Sequence, residues 1–518
     1  MLISNTILPK TLTTDEAARN PLHGRNVGSE LSERIQCCKE DLKGQTVAVV
    51  GLGISGRAAV RLALARGAAV LAIDRNEKLV PLENDSGFAN NAKLRTVLGH
   101  VDRKLLEDAD RVVVSPGVPL ENYGLSALLQ SRTMVMSELD FAAEVIPSRI
   151  KVLAVTGTNG KSTVTTFAGQ MLHRLGIKAF IGGNLGNPLS DAAVQCLESS
   201  SAKDLFQVAV VEVSSYQLEI PNKYFCPSVA VVLNLTPDHL ERHKTMRNYA
   251  LTKCQLFSRM SDSKLALLPT GNKHLNEVYG HCVDNCNVAW IGDLPGVKMT
   301  GEAKVANLSI PTTGLVTQLQ FGALKAAGTH NYLNAAVAAF SVIGLDVGID
   351  ADSIEATIEA LHPPPHRMQI IFRDTYGITW VDDSKATNVE ATYAGLMGLK
   401  AHKSVVLLGG LAKDSNIENS NGFEKLVEPL QYHRCVITFG YSGKMIQKTL
   451  YDAGLTIPCI RVAKLEDAVN SARSIAKSGP STSLGDAIVL SPGCASFDEF
   501  RNFVDRGKVF QELAFLTQ

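Results

Sequence analysis

The sequence predicts an α/β protein of three domains, and three observations carry that reading. The chain is 518 residues long, room for about three domains at roughly 100–200 residues each. Short Val/Ile/Ala-rich runs end in Gly, Ser, Asp or Asn and lead into helical patterns, the alternation of parallel sheets with crossover helices. Two of those runs open into glycine-rich loops. Composition agrees, with 45% hydrophobic and 20% charged residues, far from the polar make-up of disorder. Lys+Arg and Asp+Glu are both 51, so no net field draws the chain to nucleic acid or an anionic membrane. No apolar run approaches the roughly 20 residues of a spanning helix, and no secretory apolar region follows Met1. A cytoplasmic protein without membrane insertion is expected. The ten cysteines are scattered, and Cys282 and Cys286 lack a second pair or a histidine at zinc spacing, so reduced thiols are expected.

In chain order, residues 1–42 show no sustained periodicity and read as a tail of unknown role. QTVAVV, AAVLAID and RVVVSPG place a first, Rossmann-like domain at 43–150. KVLAVTG, FQVAVVEVS and VAVVLNL follow in a second domain at 151–363. The Pro-rich HPPPHR at 362–367 is a linker. ITWVDDS, SVVLLGG, CVITFG and AIVLSPG then build a third, Rossmann-like domain at 364–518.

The first loop, Gly51-Leu-Gly53-Ile54-Ser55-Gly56, follows a strand and opens a helix, with Asp74 ending the next strand. This is the setting of a diphosphate-binding loop: glycines permit the turn and a close approach, and the helix N-terminus offers free N–H groups. NAD, FAD and a UDP-sugar share that diphosphate, so the loop leaves the ligand open. The second loop is Thr156-Gly157-Thr158-Asn159-Gly160-Lys161-Ser162-Thr163, ahead of a helix from Ser162 to about Leu175. Val155 stands where the strict phosphate loop has its first glycine. The remainder can cradle phosphates with backbone N–H groups, supply a cation at Lys161 and hold Mg²⁺ through Ser162 or Thr163, which predicts a central P-loop ATPase domain. Glu212, at the end of QVAVVEV, stands where an acid for the metal is needed, and the next strand delivers His239 to the same sheet edge. A lone His243 reads as structural. An oxidoreductase built on GLGISG and Asp74, or a P-loop ATPase without ligase chemistry, remains open at this point.

Twelve segments in order narrow the choice: GLGISG, VVVSPG, TGTNGKST, GGNLGNP, EVSSYQLE, LNLTPDHLERH, YALTKCQLF, GTHNYLNAAVA, PHRMQ, WVDDSKATN, LLGG with LAK, and SPGCASFDEFRNF. The set resembles the Mur ligase family, the ATP-dependent amide-forming enzymes of peptidoglycan precursor assembly, from about Lys43 to Lys508. SSYQLE, DDSKATN and SPGCASFDEFRNF are most similar to its D-glutamate-adding members. The resemblance implies a UDP-substrate domain, a central ATPase domain and an amino-acid domain in a monomer that uses ATP and Mg²⁺ and takes UDP-N-acetylmuramoyl-L-alanine and D-glutamate. By motif match, Ile54, Ser55, Asp74, Arg75, Ser115 and Asn184 line the UDP-sugar path. Asn331, Arg367 and Asp383 join residues 157–163 around ATP. Lys413, Ser496 and Phe503 hold D-glutamate, with Thr387 nearby. Close relatives often have Asp-Gly before the Lys where this chain reads LAKDSN. His239 is implied to position a second metal. Periodicity makes NYALTKCQLF an amphipathic helix whose Lys253 is by default a solvated charge. The family resemblance implies instead that Lys253 is carbamylated and becomes a metal ligand.

Overall fold

The computed structural model describes residues 40–516 apart from 89–90, 100–101, 132, 200, 202–204, 262, 284–285, 301–303, 325–329, 401, 413–421 and 479–485. Nearly all of the expected tail, and Lys413, lie outside the described residues.

The first sheet is assembled from β1 (Thr46–Val50), β2 (Ala69–Asp74), β3 (Leu94–Leu98), β4 (Arg111–Val114) and β5 (Met134–Ser137) in the order β3-β2-β1-β4-β5, parallel throughout. Helix α1 (Ile54–Ala65) leaves β1 through the first glycine loop. Gly51 sits at φ +89°, and a Cβ on Gly56 would come within 1.7 Å of the Gly51 carbonyl, so this turn accepts only glycine at both places.

The second sheet has nine strands: β6 (Lys151–Thr156), β7 (Ala179–Gly183), β8 (Val208–Glu212), β9 (Val229–Val232), β10 (Leu265–Pro269), β11 (Asn287–Ile291), β12 (Gly296–Thr300), β13 (Val305–Ile310) and β14 (Leu315–Gln320). Their order is β14-β13-β12-β11-β10-β9-β6-β8-β7. Central β8 and β9 are buried along their whole length, as parallel strands covered on both faces must be. Helix α2 (Lys161–Arg174) follows β6, α3 (Leu189–Glu198) follows β7, α4 (Met246–Cys254) precedes β10, and α5 (His330–Gly344) packs on α2. The antiparallel ribbon β12–β14 was not expected. It is half exposed and alternates apolar with polar residues, so it lacks the continuous Val/Ile run that marked the buried strands.

The third sheet contains β15 (Gln369–Arg373), β16 (Thr379–Asp382), β17 (Val405–Gly409), β18 (Cys435–Phe439), β19 (Cys459–Arg461) and β20 (Ala487–Leu490) in the order β15-β16-β20-β17-β18-β19, with β15 antiparallel at the edge. Helix α6 (Phe503–Phe515) closes the domain. Among the described residues no helix is long and apolar enough to cross a membrane.

The first sheet is pinned at its base by Arg66, whose side chain is 1% exposed. It donates to both Asp41 oxygens, at 3.0 and 2.6 Å, and to Glu144 at 2.8 Å, and Glu144 also receives Arg111. Removing one member of a buried ion network strands the others. Arg66→Ala is therefore expected to cost roughly 3 kcal/mol, read as an earlier urea transition by circular dichroism; a loss below about 1 kcal/mol, the size of an exposed pair, would contradict this account.

Candidate active site

Parallel strands send their carboxyl ends to one edge, and in the central sheet that edge collects the chemistry. β6 opens into the second glycine loop, where Gly157 and Gly160 take φ of +142° and +88°. Gly160 caps α2 without a side-chain hydrogen bond, so the first N–H groups of the helix face outward for an anion. The loop is fixed by Asn234, which receives the Asn159 N–H at 2.9 Å and donates to its carbonyl at 3.0 Å. Thr158 donates to the Thr236 carbonyl at 3.2 Å. Lys161 donates to the Gly157 and Thr158 carbonyls at 2.9 and 2.8 Å. Desolvation lowers its pKa, against the pull of Glu212.

Glu212 ends β8 and is 3% exposed. Its Oε1 accepts Asn184 Nδ2 at 2.9 Å, while Oε2 is buried without a hydrogen-bond partner. Burial alone would raise this carboxyl, but the charges of Lys161 and Lys385 and the Asn184 amide outweigh it and hold it below the ordinary value. An unpartnered, charged carboxylate oxygen beside the Ser162 hydroxyl, with the Thr163 hydroxyl also buried and unpartnered, is a donor set that suits a hard cation such as Mg²⁺.

Lys253 corrects the default reading of a solvated charge. It is 1% exposed, because the loop and the Tyr249 ring close over it. Its Nζ donates to the Gly157 carbonyl at 2.9 Å and lies 4.5 Å from the centre of the Tyr249 ring. Burial, reinforced by the charge of Lys161, lowers its pKa well below that of an ordinary lysine. His239 stands at φ +53° on the same edge. Its Nδ1 meets the Tyr216 hydroxyl at 2.7 Å, and Asp238 and Glu241 are each 3.5 Å away. His243 is buried against Ser215 and stacked on Tyr249, as a structural histidine should be.

Two clefts flank this edge. One, of about 500 Å³, is lined by Ile54, Ser55, Asp74, Arg75, Ser115 and Asn184, together with Asn122, Tyr123 and Gln217. The structure thus brings together all six residues expected along the UDP-sugar path. Asp74 is partly committed, since its Oδ2 accepts the Leu52 N–H at 2.7 Å and latches the glycine loop. Arg75 stacks on Tyr123, with its guanidinium carbon 5.1 Å from the ring centre, and Ser115 donates to the Gly51 carbonyl at 2.7 Å. The second cleft, about 400 Å³, runs between His239, Asp238 and Glu241 of the central domain and Thr387, Glu390 and Lys425 of the third.

Asn331 is fully buried at the start of α5, on the helix whose Asn334 reaches Gly160. Asp383 is buried, and desolvation pushes its pKa to about 7 against the charge of Arg367. The charge of Arg367 bears on Lys161 of the loop as well as on Asp383. The amino-acid set is less concentrated. Thr387 lines the second cleft, whereas Ser496 is buried and Phe503 turns its ring toward Lys385, 5.5 Å away, and neither lines that cleft.

Sequence reasoning passed over Lys385. It donates to Ser162 Oγ at 2.6 Å and so carries a cation of the third domain onto the second glycine loop. Its signal lay in DDSK, a strand followed at once by a cation, the same logic that selected Glu212.

The Mur ligase middle domain matches residues 155–342, and the Mur ligase MurD-like N-terminal domain matches residues 45–137. The chain belongs to the Mur ligase family. Relatives named UDP-N-acetylmuramoylalanine–D-glutamate ligase include that of Desulfatibacillum aliphaticivorans, 32% identical over 91% of this chain and 98% of the relative, and that of Rubrobacter xylanophilus, 34% identical over 90% and 97%. Among solved Mur ligases, UDP-N-acetylmuramate-alanine ligase from Thermotoga maritima superposes with a TM-score of 0.53 at 19% identity, covering 92% of this chain and 100% of that one. The MurF ligase of Acinetobacter baumannii gives 0.55 at 17% identity over 92% of each chain. At those identities the likeness shows the fold, a three-sheet α/β Mur ligase.

Burial lowers the Lys385 pKa to about 8, opposed by Glu212. A lysine so lowered is an ammonium below pH 8 and neutral above it. Activity is expected to fall through one proton loss near pH 8, and in Lys385→Arg that limb should move beyond the measurable range, because guanidinium stays charged. An unchanged limb in the Arg variant would exclude Lys385 as its origin.

Proposed function

We propose that this Mur ligase adds D-glutamate to UDP-N-acetylmuramoyl-L-alanine in the cytoplasm, with hydrolysis of ATP, as a step of peptidoglycan precursor synthesis. The observation that carries the reading is Asn184: it lines the first cleft and donates to Glu212, so a substrate lying in that cleft ends beside the acid of the triphosphate loop. In this reading residues 43–150 bind the UDP portion, 151–363 bind ATP and 364–518 bind the amino acid. Names borne by relatives over nine-tenths of the chain support it.

Amide formation from a carboxylate in water is uphill, so ATP must first convert the carboxylate into an acyl phosphate. The carboxylate of the alanyl end attacks the γ-phosphorus in line, with ADP leaving. The D-glutamate amine then attacks the acyl carbon, and phosphate departs from the tetrahedral intermediate. Lys161, the N–H groups of residues 157–163, and Asn331, Arg367 and Asp383 hold the triphosphate. Glu212 and Ser162 are the donors for Mg²⁺, with His239 and a carbamylated Lys253 for a second ion, and bound metal would neutralise charge on the transferring oxygens. Lys385 brings its charge to the same oxygens. Thr387 faces the incoming amine, and Lys413, Ser496 and Phe503 complete the amino-acid site in this proposal.

Phosphate release is expected to require both UDP-N-acetylmuramoyl-L-alanine and D-glutamate for full turnover; release indifferent to their omission would leave an ATPase without ligase chemistry. Lys161→Ala should lower kcat by at least ~100-fold, the usual effect of losing one preorganised charge, while UDP-substrate binding measured by calorimetry is retained.

Lys253 gives a sharper test. A buried, neutral amine is the form that reacts with CO₂, and the carbamate would be an oxygen ligand where an ammonium cannot be one. Lys253→Ala is expected to be nearly inactive and partly restored by acetate, with Lys253→Arg inactive and not restored. An active Arg variant would rule the carbamate out.

A further inference from the structure

Arg367 follows the proline linker between the second and third domains, and the backbone on both its sides is bent into the left-handed region, with φ +61° at His366 and +45° at Met368. Side-chain-bearing residues seldom adopt that conformation, so something must hold the bend. Two neighbouring acids at the end of β16 do so. On one side, His366 Nδ1 lies 2.7 Å from Asp382 Oδ2. On the other, the Met368 N–H donates to Asp383 Oδ1 at 3.1 Å.

Asp382 is fully buried with both oxygens bonded: Oδ2 also accepts Gln511 Nε2 at 2.8 Å, and Oδ1 accepts the Ser384 N–H at 2.9 Å. A carboxylate only accepts, so Nδ1 of His366 carries the proton of that contact. The His366 carbonyl in turn accepts the Lys385 N–H at 2.9 Å, tying the bend to the segment that sends Lys385 to Ser162. Helix α6 makes room for the pair with Gly507, where a Cβ would stand 2.2 Å from His366 Nδ1. Arg367 itself has a buried Nε without a partner, and its charge bears on Lys161, His330 and Lys385.

We infer that His366 is a positioning residue, which through its hydrogen bond to Asp382 holds the bend that aims Arg367 at the triphosphate loop. The inference rests on the reading that ATP occupies that loop. It makes the His366–Asp382–Gln511 unit a support for nucleotide binding, acting through Arg367.

The test is a double-variant cycle on the full-length enzyme, with His366→Ala, Arg367→Ala and the two combined, reading the KM for ATP, the KM for the UDP substrate and ADP binding by calorimetry. His366→Ala is expected to raise the ATP KM about tenfold, within the range of coupling between residues of one network, and to leave the KM for the UDP substrate unchanged. The combined variant should be no worse than Arg367→Ala alone. His366→Asn, whose amide N–H can replace Nδ1, should restore most of the loss. Should His366→Ala fail to fold, the near-isosteric Asp382→Asn carries the same cycle. Losses that multiply, or an ATP KM within twofold of wild type, would overturn the inference while wild-type ATP turnover leaves the ligase reading standing. A wild-type enzyme that neither bound ADP nor turned over ATP would overturn both.

Discussion

A carboxylate shut away from water stays charged only if cations surround it, and Glu212 is the buried acid about which this active site is organised. Lys161 and Lys385 supply the charges that hold it below its ordinary value, and Asn184 supplies a neutral donor. The balance is deliberately uneven. Lys161, Lys385 and Arg367 bring three cations to the loop, burial lowers the pKa of Lys253 beside them, and Glu212 answers the first two of those charges. A polyanion with its metal restores neutrality, and an uncharged ligand would not.

The same charge pattern sets the arrangement of domains. Parallel sheets put their functional loops at carboxyl edges, so one sheet presents one edge, whereas joining an activated acid to an amine requires three ligands to meet. The chain solves this by turning three such edges toward one another. The first sheet offers Gly51 and Asp74 to one cleft, the central sheet closes that cleft with Asn184, and the third sheet reaches the central loop through Lys385. The contact from Lys385 to Ser162 is a charge-assisted hydrogen bond between domains that each have their own core. It belongs to the class of contact that ligand binding can strengthen or release.

How much of this was legible in the sequence depended on burial. Strands covered on both faces, such as β1, β8, β17 and β20, are continuous apolar runs that announce themselves. The ribbon β12–β14 and the edge strand β15 carry alternating or mixed residues, with registers set by pairing partners that no local pattern names. The site divides along a similar line. Glu212 and Lys161 sit at the end of a buried strand and within a glycine loop, where position implies role, whereas the six residues around the first cleft were named together only by the family resemblance. The helix expected to be amphipathic around Lys253 has almost no separation of apolar and polar faces, so local pattern offered only a solvated lysine, the resemblance alone pointed to a role, and its burial is a tertiary fact. Lys385 was missed because its partner Ser162 is 223 residues away, a pairing that only the packing of two domains creates.

The two glycine loops share a backbone device and differ in charge, and that difference assigns their work. The first places Gly51, and the second Gly157 and Gly160, at positive φ before the open N-terminus of a helix, which suffices to receive a diphosphate through N–H groups. The first loop has no lysine among its six residues, and the cleft beside it is lined by one acid and one base, Asp74 and Arg75. It can bind and hold, and a diphosphate lying there meets no charge poised to follow a moving phosphoryl group. The second loop has Lys161 within it and Lys385 brought to it, beside an acid with a free oxygen for a metal. Stabilising charge as it shifts between oxygens needs such mobile and metal-linked counter-charges. In the proposed function one backbone motif serves for recognition in the first domain and for chemistry in the second, and the side chains around it decide which.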